Sequence, residues 1–327
     1  MTMIETENVL QVEDLTMHYT TRAGEVSAVN NVTFSLKKGK SMGLVGESGC
    51  GKTSIAFSLF KLLPDNAHIK TGKVFLNGKD LVPLKEDEMR KVRWRHISMV
   101  FQAAMNALNP VYKVGDQIIE SMENHGLVES NQVAREQVAK LFQLVGLDPK
   151  LMDQYPHEYS GGMRQRAVIA MALACNPDLI IADEPTTALD VIVQDSLLRE
   201  MIELQKKLNM SMIYISHDIA VIAEVTDRIG VMYAGRLAEF GTATEIFKHP
   251  LHPYTFGLMS AFPSIIGPKR ELITLPGEPP DLISPPDGCR FHPRCPFATE
   301  VCSQQDPEFR DMGGGHFAAC WHPVEVH

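Results

Sequence analysis

The chain has 327 residues, 44% of them hydrophobic, so it is long enough for one large domain with a sizeable core and a smaller appendage. Its formal net charge is −9, which argues against DNA or RNA as the main partner, because phosphate backbones need a basic face. Residues 1–12 contain Glu5 and Glu7 and no apolar core typical of a secretory signal. The longest apolar run, 167–175, is well short of the roughly 20 residues that span a bilayer, so we expect any membrane role to depend on a partner.

The first third of the chain predicts strands followed by a strand–turn–helix unit. Residues 8–17 and 25–36 are rich in Val, Thr and Leu and are separated by the turn residues 22–24, which indicates an antiparallel β subdomain. The apolar run 41–45 is typical of a buried strand, and it leads into a glycine-rich turn. A helix is predicted over 52–63, and Pro64 is expected to terminate it.

The middle of the chain predicts a helical subdomain and a parallel sheet. Residues 116–166 have a helical pattern, with Ser130 as an N-cap, Val133 on the apolar face and Gly146 as a stop. Short apolar runs predict strands covered on both faces, and one later segment predicts an amphipathic helix. These strands are predicted at 97–101, 179–182, 212–215 and 229–233, and the helix at 191–208.

A change in composition follows residue 262. Seven prolines lie between 263 and 286, which is typical of a stiff connecting segment. We therefore expect one domain over residues 1–262, with its helical subdomain at about 116–166, and a Pro-rich linker with a small cysteine-rich domain over 263–327.

Residues 46–53, GESGCGKT, match the phosphate-loop pattern GxxxxGK[ST] between a predicted strand and a predicted helix. Glycines let backbone N–H groups turn toward phosphate oxygens, and the helix N-terminus adds positive potential. Lys52 is then expected to reach the β- and γ-phosphates, and the Thr53 hydroxyl to bind Mg²⁺. The alternative is an ordinary glycine-rich turn, which the strand-and-helix context disfavours. The predicted nucleotide contacts are Gly46, Glu47, Ser48, Gly49, Cys50, Gly51, Lys52, Thr53 and Ser54.

Two adjacent carboxylates end the predicted strand at 179–182. Successive side chains of a strand point to opposite faces, so Asp183 and Glu184 should have different tasks. We predict that Asp183 binds Mg²⁺ through a water molecule and that Glu184 polarises the attacking water. Without a phosphate loop in the same chain, two such acids would more simply form a solvated strand edge.

Residues 159–166, YSGGMRQR, resemble the signature sequence of the ABC-transporter ATPases, and other elements of that family follow the same order. The resemblance implies a P-loop NTPase core with a parallel sheet, an N-terminal antiparallel β subdomain and a helical signature subdomain. It also implies adenine stacking by Tyr19, a catalytic and Mg²⁺-binding glutamine at Gln102, a nucleotide contact at Asp190 and a γ-phosphate-sensing histidine at His217. As isolated residues, a tyrosine and a histidine at these places would more simply be structural.

The same resemblance implies that the signature residues Ser160, Gly161 and Gly162 contact the nucleotide held by an opposite subunit. Two ATP molecules would then lie between the subunits of a head-to-tail dimer. Met163 and Tyr159 depart from the residues most common in the family, but the Ser-Gly-Gly core is intact.

Several strings are similar to those of the dipeptide and oligopeptide (peptide/nickel) importer branch in particular: LNP at 108–110, YPHE at 155–158, DEPTTALD at 183–190 and HPLHPYT at 249–255. This implies an ATPase at the cytoplasmic face of the cell membrane that drives peptide uptake. Its implied partners are two permease subunits, a paralogous ATPase (or a second copy of this chain) and, indirectly, an extracytoplasmic solute-binding protein. Oligosaccharide or nickel cargo is the closest alternative. A non-transport ABC ATPase and a regulatory module that binds ATP without hydrolysing it are more remote.

Four cysteines lie in the C-terminal segment 263–327, here called the tail, which is rich in Pro and Gly. Such a segment could not build a core alone and needs covalent or metal cross-links. Four thiolates suit a [4Fe–4S] cluster, a tetrahedral Zn²⁺ or two disulfides, and the wide spacing is unlike a zinc knuckle. The resemblance to the peptide branch implies the cluster, with Zn²⁺ as the alternative. Its predicted ligands are Cys289, Cys295, Cys302 and Cys320. We expect no redox role for Cys50.

Overall fold

The computed structural model describes residues 7–101, 107–186, 190–260 and 275–324. The chain forms two compact units. The first comprises Met1–Leu10, Leu36–Lys40 and Phe75–Tyr214, and the second comprises Gln11–Ser35, Ser41–Val74 and Ile215–His327. Within the described ranges, none of the helices combines the length and apolar character needed to cross a membrane.

Strands and α-helices are interspersed along the described chain. The strands are β1 (Asn8–Thr21), β2 (Gly24–Lys37), β3 (Ser41–Val45), β4 (Ala67–Leu76), β5 (Lys79–Asp80), β6 (Ile97–Val100), β7 (Leu179–Asp183), β8 (Ser211–Ile215), β9 (Arg228–Tyr233), β10 (Arg236–Thr242), β11 (Arg310–Asp311) and β12 (Phe317–Ala318). The helices are α1 (Lys52–Phe60), α2 (Glu86–Val92), α3 (Val114–Asn124), α4 (Asn131–Leu144), α5 (Gly161–Leu173), α6 (Val191–Leu208), α7 (Ile219–Val225), α8 (Ala243–Lys248), α9 (Pro253–Ser260) and α10 (Glu300–Gln304).

In the first unit, β6, β7 and β8 lie side by side, and β6 runs parallel to β7 with Ile97 opposite Leu179. All residues of these three strands are buried, as expected of a sheet covered on both faces. The predicted strands of the core are thus found within about one residue of their expected ends.

Helices α3, α4 and α5 pack against one another in the first unit. Ser130 caps α4 as predicted, since its Oγ accepts the N–H of Val133 at 3.4 Å, and Gly146 follows the helix with a φ of +70°. The prediction that Val133 belongs to the apolar face is wrong: its side chain is 41% exposed. The buried residues of α4 are Ala134, Val138 and Phe142.

In the second unit, the strands have the order β11-β12-β10-β9-β3. β3 and β9 are parallel, whereas β9–β10, β10–β12 and β12–β11 are antiparallel. The prediction of a parallel sheet is therefore only partly correct, because this sheet contains both parallel and antiparallel pairs of strands. Phe317 and Ala318, from the tail, pair with Phe240 and Glu239 of β10 and so continue the sheet.

The N-terminal strands form a separate sheet, in which β1 lies between β2 and β4. Only Arg22 and Ala23 separate β1 from β2, and so short a connection joins antiparallel strands. In the first unit, the last residues of β4 pair antiparallel with β5. This agrees with the predicted antiparallel β subdomain.

Candidate active site

The loop between β3 and α1 is closely packed, and two of its glycines are sterically required. Gly46 and Gly51 have φ values of +148° and +105°. A Cβ at Gly46 would lie 2.2 Å from the carbonyl oxygen of Met232, and one at Gly51 would lie 2.1 Å from that of Ala28. Because no side chain fits at either position, the loop backbone can adopt this path only with glycine.

Lys52, the first residue of α1, points its amine back into the loop. Its Nζ donates hydrogen bonds to the carbonyl oxygens of Gly46 at 2.8 Å and Glu47 at 3.0 Å, and the residue is 8% exposed. A buried ammonium and a helix N-terminus thus meet at one loop, which is the arrangement that binds phosphate. Cys50 is buried beside Lys52, and burial raises the pKa of its thiol, which is consistent with a packing role.

Tyr19 lies beside the start of the same helix. It belongs to the end of β1, is half-buried, and its hydroxyl is 3.2 Å from Oγ of Ser54. The second unit therefore brings together Tyr19 and the phosphate loop, although the two are well separated in the sequence. Adenine stacking by Tyr19 stays a prediction.

Glu47 of the loop is held by two residues that sequence reasoning missed. Its backbone N–H donates to the hydroxyl of Tyr254 at 3.0 Å, and its carboxylate accepts two hydrogen bonds from the guanidinium of Arg294, at 2.8 and 3.0 Å. The hydrogen bonds to Glu47 raise the pKa of Arg294 above its usual value. No local pattern could have indicated the ion pair, because its partners are 247 positions apart.

The two adjacent acids lie at the end of β7. Asp183 is buried with 2% exposure, while Glu184 is half-buried and has a φ of +48°. A left-handed conformation is uncommon for a residue other than glycine, and such conformations cluster at functional sites. Nε2 of Gln165 donates to the carbonyl oxygen of Pro185 at 2.5 Å and so links α5 to this segment. Gln165 belongs to the signature string at 159–166, but the string alone did not indicate this contact.

The signature residues form the N-terminus of α5. Ser160 is the N-cap, and its Oγ accepts the N–H of Met163 at 3.3 Å. A Cβ at Gly162 would lie 3.3 Å from Cγ1 of Val193, whose N–H donates to Asp190 at 3.0 Å. The first unit therefore places Gly162 and Asp190 close together through Val193, at the adjoining N-termini of α5 and α6.

His217 follows β8 in an exposed position. The neighbouring Ser216 fixes this segment: its N–H donates to the carbonyl oxygen of Leu44 at 3.3 Å, and its Oγ accepts the N–H of Asp218 at 2.9 Å. Since Leu44 belongs to β3, the segment carrying His217 is tied to the strand that enters the phosphate loop. Gln102 lies outside the described residues, as do positions 187–189.

The four tail cysteines line one pocket, together with aromatic and histidine side chains that include His252, Phe291 and Trp321. Burial raises the pKa of the thiols of Cys289 and Cys295, and it raises that of Cys320 to about 12. All the cysteines are free thiols. Across the described ranges, no three or more His, Cys, Asp or Glu side chains are arranged as they stand to hold a metal ion.

Comparisons with known proteins agree with this geometry. Residues 29–187 match the ABC transporter family, and residues 238–302 match the C-terminal region of oligopeptide/dipeptide transporters. The oligopeptide transport ATP-binding protein OppD of Bacillus subtilis (strain 168) is 46% identical in an alignment 327 positions long, which covers 98% of this chain and 91% of the relative. The dipeptide transport ATP-binding protein DppD of the same organism is 47% identical over 318 residues, covering 96% and 95%.

Among solved structures, the dimeric bacterial ABC transporter cassette MJ0796 is similar with a TM-score of 0.65 and 25% sequence identity, covering 72% of this chain and 98% of that one. The mixed sheet, the packed phosphate loop and near-full-length relatives lead to one assignment. This chain belongs to the oligopeptide/dipeptide family of ABC transporter ATP-binding proteins and is an ABC-type ATPase.

Proposed function

We propose that this chain binds and hydrolyses ATP to drive the uptake of dipeptides or oligopeptides by an ABC importer. The observation that carries the proposal is the phosphate loop, whose required glycines and buried Lys52 form an anion cradle at the start of α1. The peptide cargo is supported by the relatives, which are named as oligopeptide and dipeptide transport proteins, and by the match at residues 238–302.

Each residue predicted from the sequence to contact nucleotide or Mg²⁺ has a distinct proposed task. Lys52 and the loop N–H groups bind the phosphates, and Thr53, Gln102 and Asp183 provide oxygen ligands for Mg²⁺, directly or through water. Mg²⁺ would supply charge neutralisation on the phosphate oxygens. Glu184 orients and polarises the attacking water, and His217 responds to the γ-phosphate.

The signature residues are proposed to serve a second molecule. In the dimer, Ser160 and the N–H groups of Gly161 and Gly162 would contact the nucleotide held by the facing subunit. The N-terminus of α5 supports this role, because the first N–H groups of a helix have no acceptor within the helix. Since only the closed dimer then grips the γ-phosphate from both sides, ATP favours closure and hydrolysis permits opening.

We further propose that the chain acts as a peripheral subunit at the cytoplasmic face of the membrane, bound to two permease subunits and a paralogous ATPase. An extracytoplasmic solute-binding protein would deliver the cargo. The proposed division into residues 1–262 and 263–327 separates the cassette from the tail.

A second proposal concerns the tail: Cys289, Cys295, Cys302 and Cys320 hold a [4Fe–4S] cluster. The support is that all four line one pocket, and that sulfur is the donor such clusters prefer. Their side chains do not stand in a metal-binding arrangement, so they must move together on binding and release their protons. When bound, the cluster would supply covalent cross-links between distant parts of a tail that has little core.

Transport by the assembled complex tests the function. The chain, its proposed permeases and its proposed paralogue are reconstituted in proteoliposomes with a candidate solute-binding protein, and ATP-dependent uptake is measured. We expect uptake of short peptides. Uptake of an oligosaccharide or of nickel in place of peptides would contradict the cargo, and ATP hydrolysis that never drives uptake of any solute would contradict transport.

A further inference from the structure

Glu47, the second residue of the phosphate loop, forms an ion pair with Arg294 of the tail. Nη1 of Arg294 donates to its Oε2 at 2.8 Å, and Nη2 donates to its Oε1 at 3.0 Å. Such a two-pronged contact between a guanidinium and a carboxylate is strong and directional. The side chains of Arg294 and Glu47 are 6% and 24% exposed, so water screens the pair only weakly.

Arg294 itself has a fixed position. Its Nε donates to the carbonyl oxygen of Pro276 at 2.8 Å, and its Nη1 donates to the Tyr233 hydroxyl at 3.3 Å. The guanidinium carbon also lies 5.7 Å from the centre of the Tyr233 ring and 6.0 Å from that of Phe291. These contacts hold the cation in one place, so it can act as a rigid support for the loop.

Glu47 connects this support to the phosphate cradle. Its N–H donates to Tyr254 at 3.0 Å, and its carbonyl oxygen accepts from Nζ of Lys52 at 3.0 Å. Because the carboxylate lies in a loop built to receive polyanions, an uncompensated negative charge there would repel a phosphate. Arg294 therefore has two effects: it orients Glu47, and it neutralises that charge.

We propose that Arg294, in the tail, is a positioning residue for nucleotide binding and that it acts through Glu47. The inference rests on the proposed function, since it takes the loop at residues 46–53 to be the nucleotide site. It makes the tail a working part of the ATP site, in addition to any role of its cysteines.

A double-mutant cycle on the full-length chain tests the proposal. The dissociation constant of MgADP, which is not hydrolysed, is measured for the wild type, Arg294→Gln, Glu47→Gln and the double variant. We expect Arg294→Gln to weaken MgADP binding about tenfold, because the charge of the Glu47 carboxylate is then not neutralised and repels the phosphates. The double variant should recover to within about threefold of the wild type, because the repelling charge is gone.

The controls separate this role from general damage. Asp306→Asn breaks another ion pair between tail and cassette, the one with Arg236, and should leave MgADP binding unchanged. Arg294→Lys keeps the positive charge but cannot make the two-pronged contact with the carboxylate, so its affinity for MgADP should fall about threefold. This variant also replaces Arg294→Gln in the test if Arg294→Gln does not fold. Wild-type affinity in both Arg294 variants, or a double variant as weak as Arg294→Gln, would overturn the inference. A wild-type chain that does not bind MgADP would instead overturn the proposed function, and the inference with it.

Discussion

At the scale of single residues, the phosphate loop depends on Gly46 and Gly51, where no side chain fits, and on the buried amine of Lys52. The path of the loop is implied by the spacing of its glycines and Lys52, because those residue types are required by geometry at fixed positions. Gln165 and Arg294 escaped prediction because their importance comes from partners distant in the sequence. The signature string contains Gln165 but does not indicate its partner, and Arg294, between Pro293 and Cys295, carries no local signal.

Lys52→Ala tests the anion cradle. Removing the buried ammonium leaves the loop carbonyls of Gly46 and Glu47 without their donor and removes the charge expected to face the phosphates. We expect at least a ~100-fold loss of ATP turnover, measured by phosphate release. Lys91→Ala, an exposed change in α2, is the matched control and should turn over normally. Near-normal activity of Lys52→Ala would show that the loop is not the catalytic nucleotide site.

Glu184→Gln tests the role of the second acid. Glutamine has the same shape, so the unusual φ of +48° imposes no additional strain, and only the charge is lost. We expect turnover to fall by roughly 100-fold or more while MgADP binding stays as in the wild type. A variant that hydrolyses ATP at the wild-type rate would exclude Glu184 as the group that polarises water.

At the scale of elements, strands and helix starts were the most predictable features. Continuous apolar runs identified β6 to β9, and Ser130 and Gly146 marked the ends of α4, since caps satisfy backbone groups that the helix cannot. The mixed order of the sheet in the second unit was not predictable. β11 and β12 have only two residues each, which is too short for any periodic pattern.

Ser160 has two tasks in one side chain, and they can be separated. It caps α5, and it is proposed to contact a phosphate in the facing subunit. Ser160→Asp preserves the cap, because aspartate is an equally good N-cap, but it places a negative charge toward an anion. We expect wild-type thermal stability with a strong loss of ATP turnover by the assembled dimer.

The control for Ser160 is the equivalent cap of α4. Ser130→Ala should cost about 1 kcal/mol of unfolding free energy by denaturant titration, with ATP turnover unchanged. If Ser160→Asp hydrolyses ATP normally in the dimer, Ser160 is only a helix cap. The proposal that both subunits contact each nucleotide would then be contradicted.

At the scale of the whole molecule, the tail is part of the second unit, and β12 extends its sheet. Composition alone indicated a separate small domain after residue 262, because proline and cysteine content shows where a chain changes character. It does not show where that segment packs. The contacts of Phe317 with β10 and of Arg294 with Glu47 required the three-dimensional structure.

Anaerobic purification tests the cysteine pocket. If the proposed cluster is present, the protein should be brown, absorb broadly near ~400 nm and contain iron and acid-labile sulfide in equal amounts. Cys302→Ser should lower the iron content and the unfolding temperature, whereas Cys175→Ala, in the first unit, should leave the iron content unchanged. A colourless wild-type protein with stoichiometric zinc would favour the zinc alternative, and a metal-free protein would remove both.

The bond between Glu47 and Arg294 has a consequence for synthesis, because its partners are 247 residues apart. At typical translation rates, Arg294 is synthesised roughly 10 to 50 seconds after Glu47. During that interval Arg294 cannot neutralise the charge of the Glu47 carboxylate in the phosphate loop. Tight nucleotide binding should therefore be among the last properties the nascent chain acquires, and a product that stops short of residue 294 would compete poorly for cellular ATP.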